Sequence, residues 1–384
     1  MNEGVNAGRG RRAGAREAIL TAIRTAEPLS RVELAGITGL TEASVSTTVR
    51  RLLDEGLVVE TGRAPTGGKP RVLLRLDPAA RIAVGVHLDD DVTTYVLTGQ
   101  TGGIISRMNR PAPHHTDPDA VVRRLVADIG GLVAGSGIDR ARCLGIGLVQ
   151  PGPAARHDLD RRLAQATGWP VLLENDATAA AVGEYWVARV GAARPFAALY
   201  MGSGLGAGIV LDGQALRGRH ANAGEFGHLC LQFDGPPCWC GSRGCVEALA
   251  GPQVVVDAAL ADPAAAAEAG LDAGARRSTI EEFTAVARAA RSGAPGCRAL
   301  LERSARLVAA AAESVVNLLD VDLLVLTGPG FAAASFVYGP AISSRLAAAD
   351  ARTWHRSVSV TVSLAAPTAS ATGAAALVLQ STLS

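Results

Sequence analysis

Glu225-Phe-Gly-His228, followed by Cys238-Trp-Cys240-Gly-Ser-Arg-Gly-Cys245-Val-Glu247, is the most chemically constrained stretch of this chain of 384 residues. Three thiolates and an imidazole at this spacing suit a tetrahedral zinc ion, and the glycines let the chain wrap around it. His228, Cys238, Cys240 and Cys245 fill four positions and leave none open, so the zinc is expected to be structural, with the motif spanning 228–247. Its job would be to pin Glu225 and Glu247 on either side of a pocket. The other cysteines are Cys143, Cys230 and Cys297. In a long chain that shows no secretory signal, such clustering points to metal rather than to a disulfide framework.

Upstream, Val171-Leu-Leu-Glu174 reads as a buried strand running into Asn175-Asp176 and a helix over 177–185. A carboxylate at the end of such a strand can act as a general base or bind hydroxyls, and Asp176 can equally be a helix cap. Two hairpins, 82–87 with 92–97 and 196–200 with 207–211, each open one half of the remaining chain. They predict an internally duplicated α/β protein with a cleft between two lobes. The second hairpin turns through Gly202-Ser-Gly-Leu-Gly-Ala-Gly208, where Gly202, Gly204 and Gly206 would let backbone N–H groups approach a phosphate or sugar oxygen. A plain flexible turn explains it as well. It joins strand to strand, so it is not a dinucleotide fingerprint. A helix over about 297–319 leads into a strand at 323–327.

The first 75 residues are a different object. The chain as a whole carries a net charge of +1, but this segment is +4 and the rest is −3. Helices are expected over 16–25, from the capping box Ser30-Arg-Val-Glu33, and over 41–55 behind Thr41. In the third, Val45, Val49 and Leu52 form the buried stripe. Ser44, Ser46, Thr47, Arg50 and Arg51 face outward, as base edges and phosphates require. A strand at 57–60 and a partner at 71–74 flank a glycine-rich loop carrying Arg63 and Lys69, suited to phosphate or minor-groove contact. Helix, turn, helix and basic hairpin in this order predict a winged helix-turn-helix over 1–76. Arg9, Arg11, Arg12 and Arg16 read as a disordered arm. Asp77-Pro78 marks a linker, and the larger unit is placed at 81–384.

With 48% hydrophobic and 19% charged residues the chain has ample material for packed cores, which excludes overall disorder. Near-neutral charge excludes coating nucleic acid by bulk positive charge. The longest apolar runs fall short of the roughly 18 residues a membrane span needs, so a cytoplasmic protein with no membrane partner is expected.

Together, the 202–208 turn, Glu225-x-Gly-His228 and Cys238-x-Cys240-Gly-x-x-Gly-Cys245-x-Glu247 resemble the ROK family of repressors and sugar kinases. The N-terminal module is similar to that of its repressor branch. The resemblance implies a two-lobed actin/hexokinase-like (ribonuclease H-like) ATPase-type domain and structural zinc at His228, Cys238, Cys240 and Cys245. It also implies a sugar held by Asn175, Asp176, Glu225, His228 and Glu247, His228 serving metal and sugar through its two ring nitrogens. Two departures stand out. Where family kinases carry Asp-x-Gly-Gly-Thr for ATP phosphates, this chain has His87-Leu-Asp-Asp-Asp-Val92. Carboxylates there repel phosphate, so no enzyme activity is expected, and Asp176, equivalent to the kinase base, would serve only as a hydroxyl ligand. The segment between Pro151-Gly152 and Trp169-Pro170, which contributes to the pocket rim, is shorter than usual. The expected function is a sugar-responsive repressor of carbohydrate uptake or catabolism genes. It would bind double-stranded operator DNA as a homodimer or homotetramer, with a sugar or sugar phosphate as effector. The alternatives are an ATP-dependent, glucokinase-like sugar kinase with an appended DNA-binding domain, and a constitutive DNA-binding protein with a degenerate pocket.

Overall fold

A computed structural model describes residues 3–65, 70–89, 91–112, 117–150, 158–188, 195–272, 274, 277–349 and 357–381, with side chains from residue 14 onward. The chain opens with α1 (Glu3–Ala26), β1 (Leu29–Ser30), α2 (Arg31–Thr38), α3 (Glu42–Asp54), β2 (Val58–Ala64) and β3 (Arg71–Leu76). The capping box is formed: Glu33 N–H donates to Ser30 Oγ, and Ser30 N–H donates to Glu33 Oε2 at 2.7 Å. Gly39, at φ 67°, ends α2 in the left-handed region that a Cβ disfavours. Thr41 caps α3, and Val45, Val49 and Leu52 point into a core with Ile19, Leu20, Ile23, Leu34 and Leu74. Each such fully buried aliphatic side chain contributes about 1.5–3 kcal/mol.

The sheet of this module has the order β1-β3-β2. The N-terminal arginines do not form a disordered arm. Helix α1 runs from Glu3, and Arg16 grips Glu55 at the end of α3 with both guanidinium nitrogens, Nη1 at 2.8 Å, tying the middle of α1 to the recognition helix.

Beyond the linker the chain builds one unit twice. The first lobe comprises β4 (Ile82–Leu88), β5 (Val92–Gly99), β6 (Ile104–Pro111), α4 (Pro118–Gly135), β7 (Cys143–Val149), α5 (Leu159–Thr167) and β8 (Val171–Glu174). After α6 (Asp176–Ala188) the second lobe repeats it with β9 (Phe196–Met201), β10 (Leu205–Leu211) and β11 (Gln214–Ala215). Helices α7 (Val246–Ala250), α8 (Pro252–Ala261), α9 (Pro263–Ala269), α10 (Thr279–Arg291) and α11 (Pro295–Leu319) follow. Then come β12 (Leu323–Thr327), α12 (Pro329–Ala349), β13 (Ser359–Val362) and finally α13 (Ala369–Ser381).

The sheet orders are β6-β5-β4-β7-β8 and β11-β10-β9-β12-β13. In each, three antiparallel strands adjoin two parallel ones, so the topologies coincide. The duplication expected from two hairpins is present. Four elements that no motif announces, β6, α4, β7 and α5, complete the first lobe.

Helix α6 packs on β9 and β10, α13 packs on β4, β5 and β7, and the two helices pack on each other. Glycines make these contacts possible. A Cβ on Gly373 would lie 1.6 Å from the Ala179 carbonyl oxygen, and one on Gly183 would lie 2.1 Å from that of Ala369. Gly373→Ala is expected to lower stability by about 3 kcal/mol in urea unfolding, because backbone rather than a rotatable side chain must move. Gly130→Ala, in open space on α4, should raise stability by about 0.5–1 kcal/mol.

Candidate functional site

The cleft is organised around the start of α6. Asn175 is the helix cap: its Oδ1 accepts from Ala177 N–H at 2.9 Å and from Thr178 N–H at 3.2 Å. Asp176, the first helical residue, accepts from Ala177 N–H at 2.7 Å. Burial pushes the Asp176 carboxyl up to about 6, and the nearby carboxylates Asp89 and Glu225 add to the shift. Behind it, Glu174 forms an ion pair with Arg217 at 2.7 Å.

Strand β10 lies alongside. The turn between β9 and β10 covers only 202–204, and Gly206 and Gly208 belong to β10 itself. The glycines serve close approach. A Cβ on Gly206 would lie 2.9 Å from that of Ala177, one on Gly208 would lie 2.2 Å from the Ala177 carbonyl oxygen, and one on Gly204 would lie 3.2 Å from Glu247 Oε1. Glu247, in the first turn of α7, accepts from Leu205 N–H at 2.7 Å, and burial pushes its carboxyl up to about 7.

His228 and the three cysteines of the motif converge. Their ligand atoms all lie within 4.8 Å of one another. Cys240 Sγ and Cys245 Sγ are 3.8 Å apart, and Cys238 Sγ is 3.6 Å from His228 Nδ1. A tetrahedral zinc with Zn–S of about 2.3 Å and Zn–N of about 2.0 Å has edges of about 3.8 and 3.5 Å, so both spacings fit that ion. The chain reaches this arrangement through Gly241 at φ 90° and Gly244 at φ 62°; a Cβ on Gly244 would lie 1.6 Å from the Gln232 carbonyl oxygen. With Nδ1 toward the thiols, His228 Nε2 faces Glu225 Oε2 at 4.0 Å, on the cleft side. The edge of the Trp239 ring contacts the imidazole, centroid to centroid 4.8 Å.

Further groups face one another between the first and second lobes, and of these Tyr200, Ser278 and Ser370 were not marked by any sequence motif. His87 on β4 faces Tyr200 on β9, ring centroids 6.5 Å apart, and burial pushes the imidazole toward its neutral form. Burial, then Asp176 and Asp89, push the Tyr200 phenol well above its ordinary value, opposed by its hydrogen bond to Ser370 of α13. At the tip of the first hairpin Asp91 accepts a hydrogen bond from Ser278 Oγ, the cap of α10 in the second lobe. The tip of the first hairpin is therefore bonded to the second lobe. Residues 151–157 of the shortened rim lie outside the described residues.

On the DNA-binding module, Thr47, Arg50 and Arg51 are exposed on α3, while Ser44 and Ser46 are half-buried. Arg63 is exposed on β2, and Lys69 lies outside the described residues.

Residues 139–381 match the ROK family and residues 15–59 match a winged helix-turn-helix DNA-binding domain. The protein belongs to the ROK family, with an N-terminal winged helix. It is 26% identical to the xylose repressor of Caldicellulosiruptor bescii over 326 residues, 80% of this chain and 81% of that one. It is 28% identical to the xylose repressor of Bacillus subtilis over 244 residues, 60% of this chain and 63% of the relative, less than two thirds of the latter's length. Its fold is that of a ROK family transcriptional regulator described as a homolog of the E. coli MLC protein, with a TM-score of 0.75, 24% identity and 97% of each chain covered. Among the described residues no helix is long and apolar enough to cross a membrane.

The raised carboxyl of Asp176 has a thermodynamic consequence. Between its ordinary value of 3.8 and about 6 the folded chain holds a proton that the unfolded chain releases. Stability therefore falls as pH rises through that window, and the full cost is present above it. Asp176→Asn removes the charge and keeps the Oδ1 acceptor. It is expected to stabilise the protein by about 2 kcal/mol at pH 8 and far less at pH 4, measured by urea unfolding.

Proposed function

We propose that this protein is a sugar-responsive transcriptional repressor of carbohydrate genes. Residues 1–76 would bind operator DNA and residues 81–384 would bind the effector. The observation that carries this reading is the presence, in one chain, of a winged helix with Thr47, Arg50 and Arg51 exposed on α3 and of a second unit in which the carboxyls of Asp176 and Glu247 are buried near the start of α6 and β10. Asn175, Asp176, Glu225, His228 and Glu247 would hold the sugar. Carboxylates accept hydrogen bonds from hydroxyls, so this set favours a polyol over a phosphoryl group. The relatives named xylose repressors support an aldose as effector.

DNA contact would come from Ser44, Ser46, Thr47, Arg50, Arg51, Arg63 and Lys69. The protein would act in the cytoplasm, where its DNA lies. A homodimer or homotetramer would present two recognition helices to half-sites about one helical turn apart. Zinc at His228, Cys238, Cys240 and Cys245 would be structural, because four protein ligands leave no position for substrate. Bound there, it would hold the imidazole so that Nε2 faces the cleft.

The kinase alternative needs a phosphate cradle. In this chain Asp89 raises the pKa of Asp176 and Asp91 is bonded to Ser278, which opposes ATP in that place.

Two outcomes test the proposal. The purified protein should shift duplex DNA from upstream of its own gene, an aldose from a panel should weaken that shift, and no ADP should be released with any sugar. Arg50→Ala should weaken binding and lower the slope of log K against log salt by about 1; the absence of any shift by the wild type, with or without sugars, sinks the reading. Elemental analysis should find about one zinc per chain in the wild type and little in Cys240→Ser, since a hydroxyl does not replace a thiolate ligand; zinc retained at full stoichiometry overturns the site.

A further inference from the structure

Helix α6 has two ends with different company. Its first residue, Asp176, lines the cleft. Ten residues on, about 15 Å along a helix, Tyr185 and Trp186 lie beneath the DNA-binding module. The Arg24 guanidinium, near the end of α1, sits over the Trp186 ring at 4.4 Å and the Tyr185 ring at 5.4 Å. Arg24 and Trp186 are 6% and 2% exposed, so the stack is enclosed on both sides. Desolvated cation–π contacts of this kind are worth more than exposed ones. Leu20 and Thr21 of α1, Leu379 of α13 and Arg81 complete the joint.

A further bond to the module lies in the same joint and comes from the first lobe. Gln100, at the end of β5, donates through Nε2 to the Leu57 carbonyl at 2.8 Å and to the Asp77 carbonyl at 2.6 Å. Leu57 lies three residues beyond the last residue of α3 and its N–H donates to the Leu52 carbonyl at 2.9 Å, so this bond holds the C-terminal end of α3. Trp186 also lies close against Gly102 in the turn after β5, so α6, α13 and the first lobe meet the module at one joint.

We propose that Arg24 is a positioning residue that couples the cleft to the recognition helix. It rests on the reading of the protein as a sugar-responsive DNA-binding repressor. When a ligand at Asp176 shifts α6, Trp186 moves with it and takes Arg24 and α1 along, and α3 tilts through the α1–α3 contact held by Arg16 and Glu55. Coupling between sites is reciprocal, so DNA held by α3 must in turn bias the far end of α6.

The test uses that reciprocity and needs no knowledge of the sugar. Full-length wild type and Arg24→Met are titrated with a duplex from upstream of the gene, and amide hydrogen exchange is measured with and without it. Both proteins should bind the duplex within about threefold of each other, since Arg24 does not lie on the exposed face of α3. In the wild type the duplex should change exchange at 181–188 by about fivefold or more, in line with typical couplings. In Arg24→Met that change should vanish. Arg24→Lys, which keeps the charge and loses the planar stack, should fall between them. A residue that merely supports the fold would lower the thermal midpoint and leave the duplex-dependent change in place, and that result overturns the proposal. Should Arg24→Met fail to fold, Trp186→Leu removes the same stack from the other side and carries the same expectation. A wild type that binds the duplex with no change at 181–188 overturns this inference alone. One that binds no duplex overturns the functional reading and this inference with it.

Discussion

Backbone approaches backbone where α6 crosses α13, and most of the larger unit depends on that contact. Gly183 and Gly373 stand at the crossing, and each would drive a Cβ into the opposite helix. Around them Ala179, Ala180, Ala369 and Ala374 are buried and small. The two helices exchange places. Helix α6 follows the first lobe's last strand and packs on the second lobe's sheet, while α13 follows the second lobe's last strand and packs on the first lobe's sheet. A close crossing is therefore the seam along which the lobes meet. Its low side-chain volume accounts for a chain with 4% aromatics that still packs tightly, because at this distance dispersion is gained between main chains rather than through large side chains.

The cleft inherits its geometry from the same seam. Asp176 starts α6, Ser370 starts α13, and Ser370 Oγ donates to the Asp176 carbonyl at 3.1 Å. The helix ends that line the cleft are thus bonded to each other. Strand β10 then lies against α6 through Gly206 and Gly208, and Glu247 closes on the β9–β10 turn through the Leu205 N–H. The cysteine loop adds His228 from the opposite side. Asn175, Asp176 and Glu247 are each placed by main chain, through a cap, a helix start and a strand N–H, so their positions follow from the fold.

Much of this was legible in the sequence, for identifiable reasons. The ligand cluster and both helix caps are local: Ser30 with Glu33, Thr41 with Ser44 and Cys238 with Cys240 lie within one turn, so their spacing alone encodes their contact. The duplication was legible through the two hairpins, whose apolar runs carry it without residue identity. The glycines of the second hairpin were legible as a need for close approach, but not as to what approaches, since α6 and Glu247 are distant in sequence. The His87–Tyr200 face, the Asp91–Ser278 bond and the α6–α13 crossing join residues more than a hundred positions apart, and no periodicity reports such pairs. The N-terminal arginines misled because a run of charge with glycines resembles a solvated tail, whereas Arg16 is fixed by Glu55 across the module.

The first hairpin ends in acidic residues that act within the protein. In a phosphate-binding turn the value of glycine is that N–H groups face an anion with no side chain between. Here Asp89 and Asp91 occupy that turn, and each is directed at protein. Asp89 acts electrostatically on Asp176, His87 and Tyr200, and Asp91 takes the hydroxyl of Ser278 from the second lobe. Strand β4 remains buried along its whole length and the sheet order is unaltered. A contact between the two lobes thus forms at this hairpin tip. A protein–protein contact there ties the two lobes together at the hairpin tip, so the position of one lobe against the other is set at this point as well as at the α6–α13 crossing.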